Sequence, residues 1–283
     1  HLRQRRPHRH GKLVFQGAVA HDLDEVVVLQ HAAVDEDGIG DLDLVVACGD
    51  LFASFKDWTR AEPYFAQAVA GNNATVLVRR FVESLLKQSR PKTREVDTVL
   101  SSVSDRIATD PTLLLMRGWN FVKKNDQARA ETDFNAAWDL VEGRPVDMLV
   151  WNESVKEALD DSAKHAQYLA RMSRQRPAGG WTSLLLGQAT YAAGSESDGA
   201  AMLRDLAAQT QDNTVRLLAW RSLGSAYYGS ERYDEAAEAW STGAAAFPND
   251  WEIANNLAYT LSRHLGKPEE ALPLAQKAAE LAP

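Results

Sequence analysis

His8 and His10, followed by Asp22, Asp24 and Glu25, form the densest gathering of metal-ligating side chains in this sequence. Imidazole nitrogens and carboxylates would hold a divalent cation if the chain brought them together. They lie in or just beyond a basic, His-rich stretch, HLRQRRPHRH at residues 1 to 10, for which a solvated tail is the simpler reading. Cys48 is the one cysteine, so neither an internal disulfide framework nor a cysteine zinc site is available. Its place at a packing position of a helix makes it a buried thiol rather than a nucleophile. No HExxH, GxSxG or phosphate-binding glycine loop occurs. The acidic run YDEAAE reads as a solvated helix face, with Asp234 or Glu235 suited to the positive helix N-terminus. These residues predict no catalytic centre, no metal and no cofactor.

Composition narrows the partner classes. A balance of 45% hydrophobic and 25% charged residues is that of a globular chain. The net charge of −8, with HLRQRRPHRH as the basic cluster, argues against nucleic acid, which needs Lys and Arg gathered on one face. No apolar run approaches the 18 residues of a membrane span.

The elements that would position any site show in LGSAYYGSERYDEAAEAW, residues 223 to 240. Trp220, Leu223, Gly224 and Tyr227 recur at i, i+3, i+4 and i+7, which places them on one face of a helix. Gly229 and Ser230 break it, and Ala236, Trp240 and Gly243 form the matching face of a second helix. The small residues Gly224 and Ala236 are expected where the two helices cross closely. A lone hairpin cannot cover the surface of Trp220, Tyr227 and Trp240, so the pattern must recur along the chain.

It does recur. With Leu217 as position 1, Trp220 stands at 4, Leu223 at 7, Gly224 at 8, Tyr227 at 11, Ala236 at 20, Trp240 at 24, Gly243 at 27 and Pro248 at 32. This spacing resembles the tetratricopeptide repeat, a 34-residue helix-turn-helix unit, with Trp240 in place of the usual Phe. Further copies centre on Gly49, Gly118 and Gly187, each 69 residues from the next, and on Ala258. Each 69-residue gap holds one degenerate copy. The resemblance covers about residues 42–283 and implies an all-α, right-handed superhelix of seven hairpins: 42–75, 76–110, 111–145, 146–179, 180–216, 217–250 and 251–283. The last copy ends at Pro283, where another normally begins, so the array is expected to be truncated there. Leu257, Leu261 and Leu272 are then expected to be partly exposed or covered by another molecule, with self-association as one outcome.

Residues 1–41 do not follow the repeat and hold five of the seven histidines. Three readings compete: wrong-frame or vector-derived sequence, which is favoured, a poorly packed natural leader, and a calcium loop. For the last, VDEDGIGDLDLVVA resembles FG-GAP or VCBS-type repeats, which implies Asp35, Asp37 and Asp43 as ligands. Ile39 stands where that pattern wants a further oxygen.

In the tetratricopeptide family, inner positions of the first helices, chiefly 2, 5, 6, 9, 12 and 13, face a concave groove that holds extended peptides or partner helices. The resemblance therefore implies Leu115, Met116, Trp119 and Val122, then Leu184, Leu185, Gln188 and Tyr191, then Arg221, Ser222, Ser225 and Tyr228, then Asn255, Asn256, Tyr259 and Arg263. Such a groove would be apolar early and polar later. Packing against the adjacent hairpin is the competing reading for Trp119 and Tyr191. The expected function is a non-enzymatic scaffold that binds an extended segment or helix of another protein. The alternatives are the repeat arm of a larger enzyme or secretion-system protein, and a purely structural assembly module.

Overall fold

The computed structural model describes residues 42–176 and 180–282. The possible leader 1–41, with the His8 and His10 cluster and the candidate calcium ligands Asp35 and Asp37, lies outside the described residues, as does Pro283. Asp43, the third of those ligands, sits in the first turn of a helix. Among the described residues no group of three or more His, Cys, Asp or Glu side chains is placed to hold a metal. No helix among them is long and apolar enough to cross a membrane.

Every regular element among the described residues is helical. The chain divides into two compact units, one ending at Val103 and the other beginning at Ser104. The first holds α1 (Leu42–Ser54), α2 (Trp58–Gly71), α3 (Thr75–Leu86) and α4 (Thr93–Ser101). The second begins with the short α5 (Ser104–Ile107). Five hairpins follow: α6 (Pro111–Lys123) with α7 (Gln127–Val141), α8 (Pro145–Leu159) with α9 (Ser162–Gln175), α10 (Trp181–Ala192) with α11 (Glu196–Gln209), α12 (Asn213–Gly229) with α13 (Tyr233–Ala246), and α14 (Trp251–Arg263) with α15 (Pro268–Leu281). Within this unit successive helices pack on one another, and α6 also touches α8 while α10 touches α12. Contact between first helices of neighbouring hairpins is what a stacked repeat requires.

Local chemistry starts these helices where the sequence permits. Asp57, Asp110, Asp126, Asp161, Asp212 and Asp250 each accept a hydrogen bond from a first-turn amide of the helix that follows. Each such cap contributes about 0.5–2 kcal/mol. Pro111, Pro145 and Pro268 occupy first helical positions, where a missing N–H costs nothing.

In the first, third and sixth hairpins a glycine of the first helix lies hard against a large side chain of the second. A Cβ on Gly49 would lie 2.6 Å from the Phe65 ring, and one on Gly118 would lie 2.5 Å from the Phe134 ring. At Gly224 an added Cβ would penetrate the Trp240 indole. The side chain nearest Gly224 is therefore Trp240, sixteen residues on, and not Ala236 as the sequence suggests; Ala236 is itself fully buried. The turn between the two helices also differs from expectation. Gly229 ends α12 without positive φ, and the left-handed residue is Glu231, at φ 60°. Lys56, Asn125 and Gly194 take the same left-handed conformation, seven residues after Gly49, Gly118 and Gly187.

The C-terminal hairpin is better covered than its sequence suggests. Leu257 and Leu261 are buried, at 5% and 7% exposure, and Leu272 alone of the three is exposed. Cys48 is buried, and burial pushes its thiol above the ordinary range, the opposite of an activated thiolate.

Candidate functional site

Of the residues the repeat spacing nominates, five in the third and fifth hairpins are packed away. Leu115, Met116 and Trp119 are 6%, 3% and 3% exposed, and Leu184 and Leu185 are sealed. They therefore offer a ligand almost no surface. Val122 is half-buried.

A second group is spent on joining hairpins. Gln188 on α10 donates to the Ser222 hydroxyl on α12 at 2.6 Å. Tyr191 donates to Ser230 at 2.8 Å, and Ser230 in turn donates to Glu196 at 3.2 Å. Arg221 on α12 reaches the start of α14, where its guanidinium pairs with both Asp250 and Glu252. Two of those bonds form a fork, Nε to one Asp250 oxygen and Nη2 to the other. Asp250 meanwhile caps α14 through Ile253 N. Arg221 is thus a clamp between the sixth and seventh hairpins, and a bidentate pair of this kind fixes geometry as well as energy.

Ser225, Tyr228, Asn256 and Tyr259 remain, and they meet. With Gly229 and Trp240 they line a pocket of about 270 Å³ between α12 and α14. Tyr259 is 52% exposed while Trp240 is 3% exposed, so the pocket runs from an open tyrosine to a buried indole. The spacing explains the convergence. Ser225 and Tyr228 stand three apart on one helix, as do Asn256 and Tyr259 on the other, so each pair shares a face.

Aromatic contacts hold the walls. Tyr228 lies 5.9 Å from Trp240, 6.3 Å from Tyr259 and 5.4 Å from Tyr233, ring centre to ring centre. His264, just past α14, stacks on Tyr233 at 3.8 Å, and its Nε2 lies 3.0 Å from the Tyr228 hydroxyl. Burial, with the neighbouring Tyr259 and Tyr233, holds the Tyr228 phenol above its ordinary pKa. The hydroxyl beside the imidazole is consequently a hydrogen-bonding group that stays protonated. Asn255 and Arg263 are exposed, one turn to either side of Tyr259 on the same helix. Tyr233 and His264, which back Tyr228, escaped sequence reasoning. The signal available was an aromatic residue at the start of the second helix and a histidine five residues beyond Tyr259, neither of which the repeat spacing singles out.

Residues 252–282, which span all but the first residue of α14 and the whole of α15, match the tetratricopeptide-repeat family. That stretch of the chain is a tetratricopeptide repeat. The regular elements among the described residues are helical throughout, packed in succession as a helical repeat. Solved structures similar to the chain include MamA, at 18% identity and a TM-score of 0.40, aligned over 58% of this chain and 93% of the other. A tetratricopeptide repeat protein from Parabacteroides merdae aligns at 12% identity and a TM-score of 0.40, over 86% of this chain and 93% of the other. Yeast Tom70 aligns at 10% identity and a TM-score of 0.44, over 92% of this chain and 55% of the other. No curated protein matches the sequence.

Proposed function

We propose that this helical-repeat protein is a non-enzymatic interaction scaffold that docks an extended segment of a partner protein on the first-helix face of its sixth and seventh hairpins. The observation that carries this reading is the open pocket between α12 and α14, in a face whose earlier inner residues are packed away. Its size favours a side chain over a substrate. At about 270 Å³ it falls below the roughly 300–1,000 Å³ of small-molecule sites.

The lining chemistry suits an extended chain. Tyr228 and Tyr259 offer ring faces for an apolar side chain or a proline, at little cost in side-chain entropy. Ser225 and the carboxamides of Asn255 and Asn256 supply donors and acceptors for a peptide backbone without demanding one sequence. Arg263 adds a cation at the rim, and no ion pair engages it among the described residues.

The test is capture from the native source with a photo-crosslinking amino acid placed at position 259, compared with the same group at Thr242 on the second helix α13. A protein crosslinked from position 259 and absent from position 242 supports the reading. The reverse pattern, or equal capture from both, overturns it.

A further inference from the structure

We infer that the first unit carries a separate docking pocket, for an acidic segment of a partner protein recognised through its side-chain carboxylates. The pocket, about 250 Å³, opens between α1, α2 and α3. Trp58 and Phe65 of α2 and Val76 of α3 supply its apolar lining, while Arg79 and Arg80, also of α3, bring two guanidinium groups to it. Phe65 is 1% exposed and Val76 is 55% exposed, so the pocket has an apolar interior and an open rim.

The decisive feature is how the two arginines are held. Arg79 donates through Nε to Glu83 at 2.7 Å, and Arg80 donates through Nε to Asp50 at 2.8 Å. Among the described residues these are the only hydrogen bonds either side chain makes. Arg117, by contrast, spends both Nε and Nη2 on Asp133, at 2.8 and 2.7 Å. Each guanidinium in the pocket is therefore oriented by one carboxylate while its terminal N–H groups stay available. A carboxylate has lone pairs enough to accept from both, and the resulting charge-assisted bonds are of the stronger kind.

The lining itself balances two arginines with two carboxylates, and the excess of cations lies along α3 and the segment that follows it. Between residues 79 and 94 the sequence has six cations, Arg79, Arg80, Lys87, Arg90, Lys92 and Arg94, against one acid, Glu83. Glu62 engages Lys92, and Arg90 and Arg94 are exposed without an ion pair among the described residues. This concentration stands in a chain of net charge −8. It attracts an acidic segment and speeds the encounter. The apolar lining of Trp58, Phe65 and Val76 favours a peptide whose acidic residues alternate with apolar ones over a nucleic-acid backbone, which has no apolar side chain to seat there.

The experiment titrates the full chain with a short fluorescein-labelled, C-terminally amidated peptide of alternating glutamate and leucine, and with its glutamine counterpart. The glutamate peptide should bind about tenfold or more tightly than the glutamine peptide, and weaken as salt rises. Arg79→Gln with Arg80→Gln should remove about tenfold or more while the melting temperature stays near the parent value. Asp50→Asn should tighten binding a few-fold, because it removes the internal competitor for Arg80; a purely structural Asp50 would give no gain. Tyr259→Ala should leave this affinity unchanged, which separates the pocket from the site on α12 and α14. Equal binding of the glutamine peptide, an unaffected arginine double variant, or weaker binding by Asp50→Asn would overturn the inference. So would much tighter binding of a free-carboxyl version, a phosphoserine peptide or single-stranded oligodeoxythymidine.

Discussion

The third and fourth hairpins and the sixth and seventh are both rich in aromatic residues, and they put them to opposite uses. In α7 to α9, Trp138 meets Trp151 edge-on at 4.9 Å, Trp151 lies 6.1 Å from Tyr168, and Tyr168 meets Phe134 at 5.9 Å. All four are at most 1% exposed, and the Trp151 indole donates to the Phe134 carbonyl at 2.9 Å. In α12 to α14 the cluster of Tyr228, Tyr233, Tyr259 and His264 lies near the surface, over a single buried indole, Trp240. The difference shows that aromatic content marks neither a core nor a site. What separates them is whether the ring is covered on all sides or leaves one edge open beside polar neighbours such as Ser225 and Asn256.

If the aromatics of the fourth hairpin are structural, truncating one should damage the fold and not merely a surface. Trp151→Ala is expected to cost about 3–5 kcal/mol, read from denaturant unfolding. Tyr259→Ala, at a half-exposed position, should cost less than about 1 kcal/mol in the same assay. Similar losses at both positions would erase the distinction.

The fourth hairpin should also confer acid sensitivity. His165 on α9 is 3% exposed, its Nε2 has no hydrogen-bond partner, and its pKa is lowered from 6.5 to about 4. Burial is the main cause, reinforced by Lys156 and opposed by Glu153. The unfolded chain takes up this proton at higher pH than the folded one. Stability is therefore present in full above pH 6.5 and falls as pH drops toward about 4, by at most about 3 kcal/mol. Unfolding measured against pH should show this slope, and His165→Gln should flatten it.

Much of this architecture was legible in the sequence. Gly49, Gly118, Gly187 and Gly224 stood out as the small residues of the close helix crossings, where a Cβ has little or no room, but their partners sixteen residues on, Phe65, Phe134, Leu203 and Trp240, did not, since the spacing pointed to Ala236. The accessibility of the groove was not legible. Whether Trp119 faces a ligand or a neighbour depends on how closely adjacent hairpins stack, which no spacing within one hairpin reports. The role of Arg221 was hidden for the same reason, since its partners Asp250 and Glu252 belong to the next hairpin. In the second hairpin the sequence predicts one helix over about 93–107, yet α4 ends at Ser101 and α5 begins at Ser104. There Ser101 and Ser102 donate their hydroxyls back to Asp97 and Val99 carbonyls, a local competition with the helix ladder.

The smallest expected effect concerns the turns. Glu231 and Asn125 hold the same left-handed conformation in the sixth and third hairpins, and Asn tolerates it better than Glu. Glu231→Gly should stabilise the protein by up to about 1 kcal/mol, and Asn125→Gly by less. A melting-temperature comparison of the two variants would show it.

The central claim is that the open tyrosines dock a partner while the buried tryptophan of the third hairpin does not. Its most direct test takes the partner segment crosslinked from position 259, prepared as a synthetic peptide, and measures its affinity for the parent, Tyr259→Ala and Trp119→Phe by calorimetry. Loss of an interface anchor costs about 2 kcal/mol or more, roughly thirtyfold in affinity, so Tyr259→Ala should bind at least that much more weakly while Trp119→Phe binds like the parent. Unchanged binding by Tyr259→Ala, with a loss confined to a folded Trp119→Phe, would contradict the account and place the docking surface on the third hairpin.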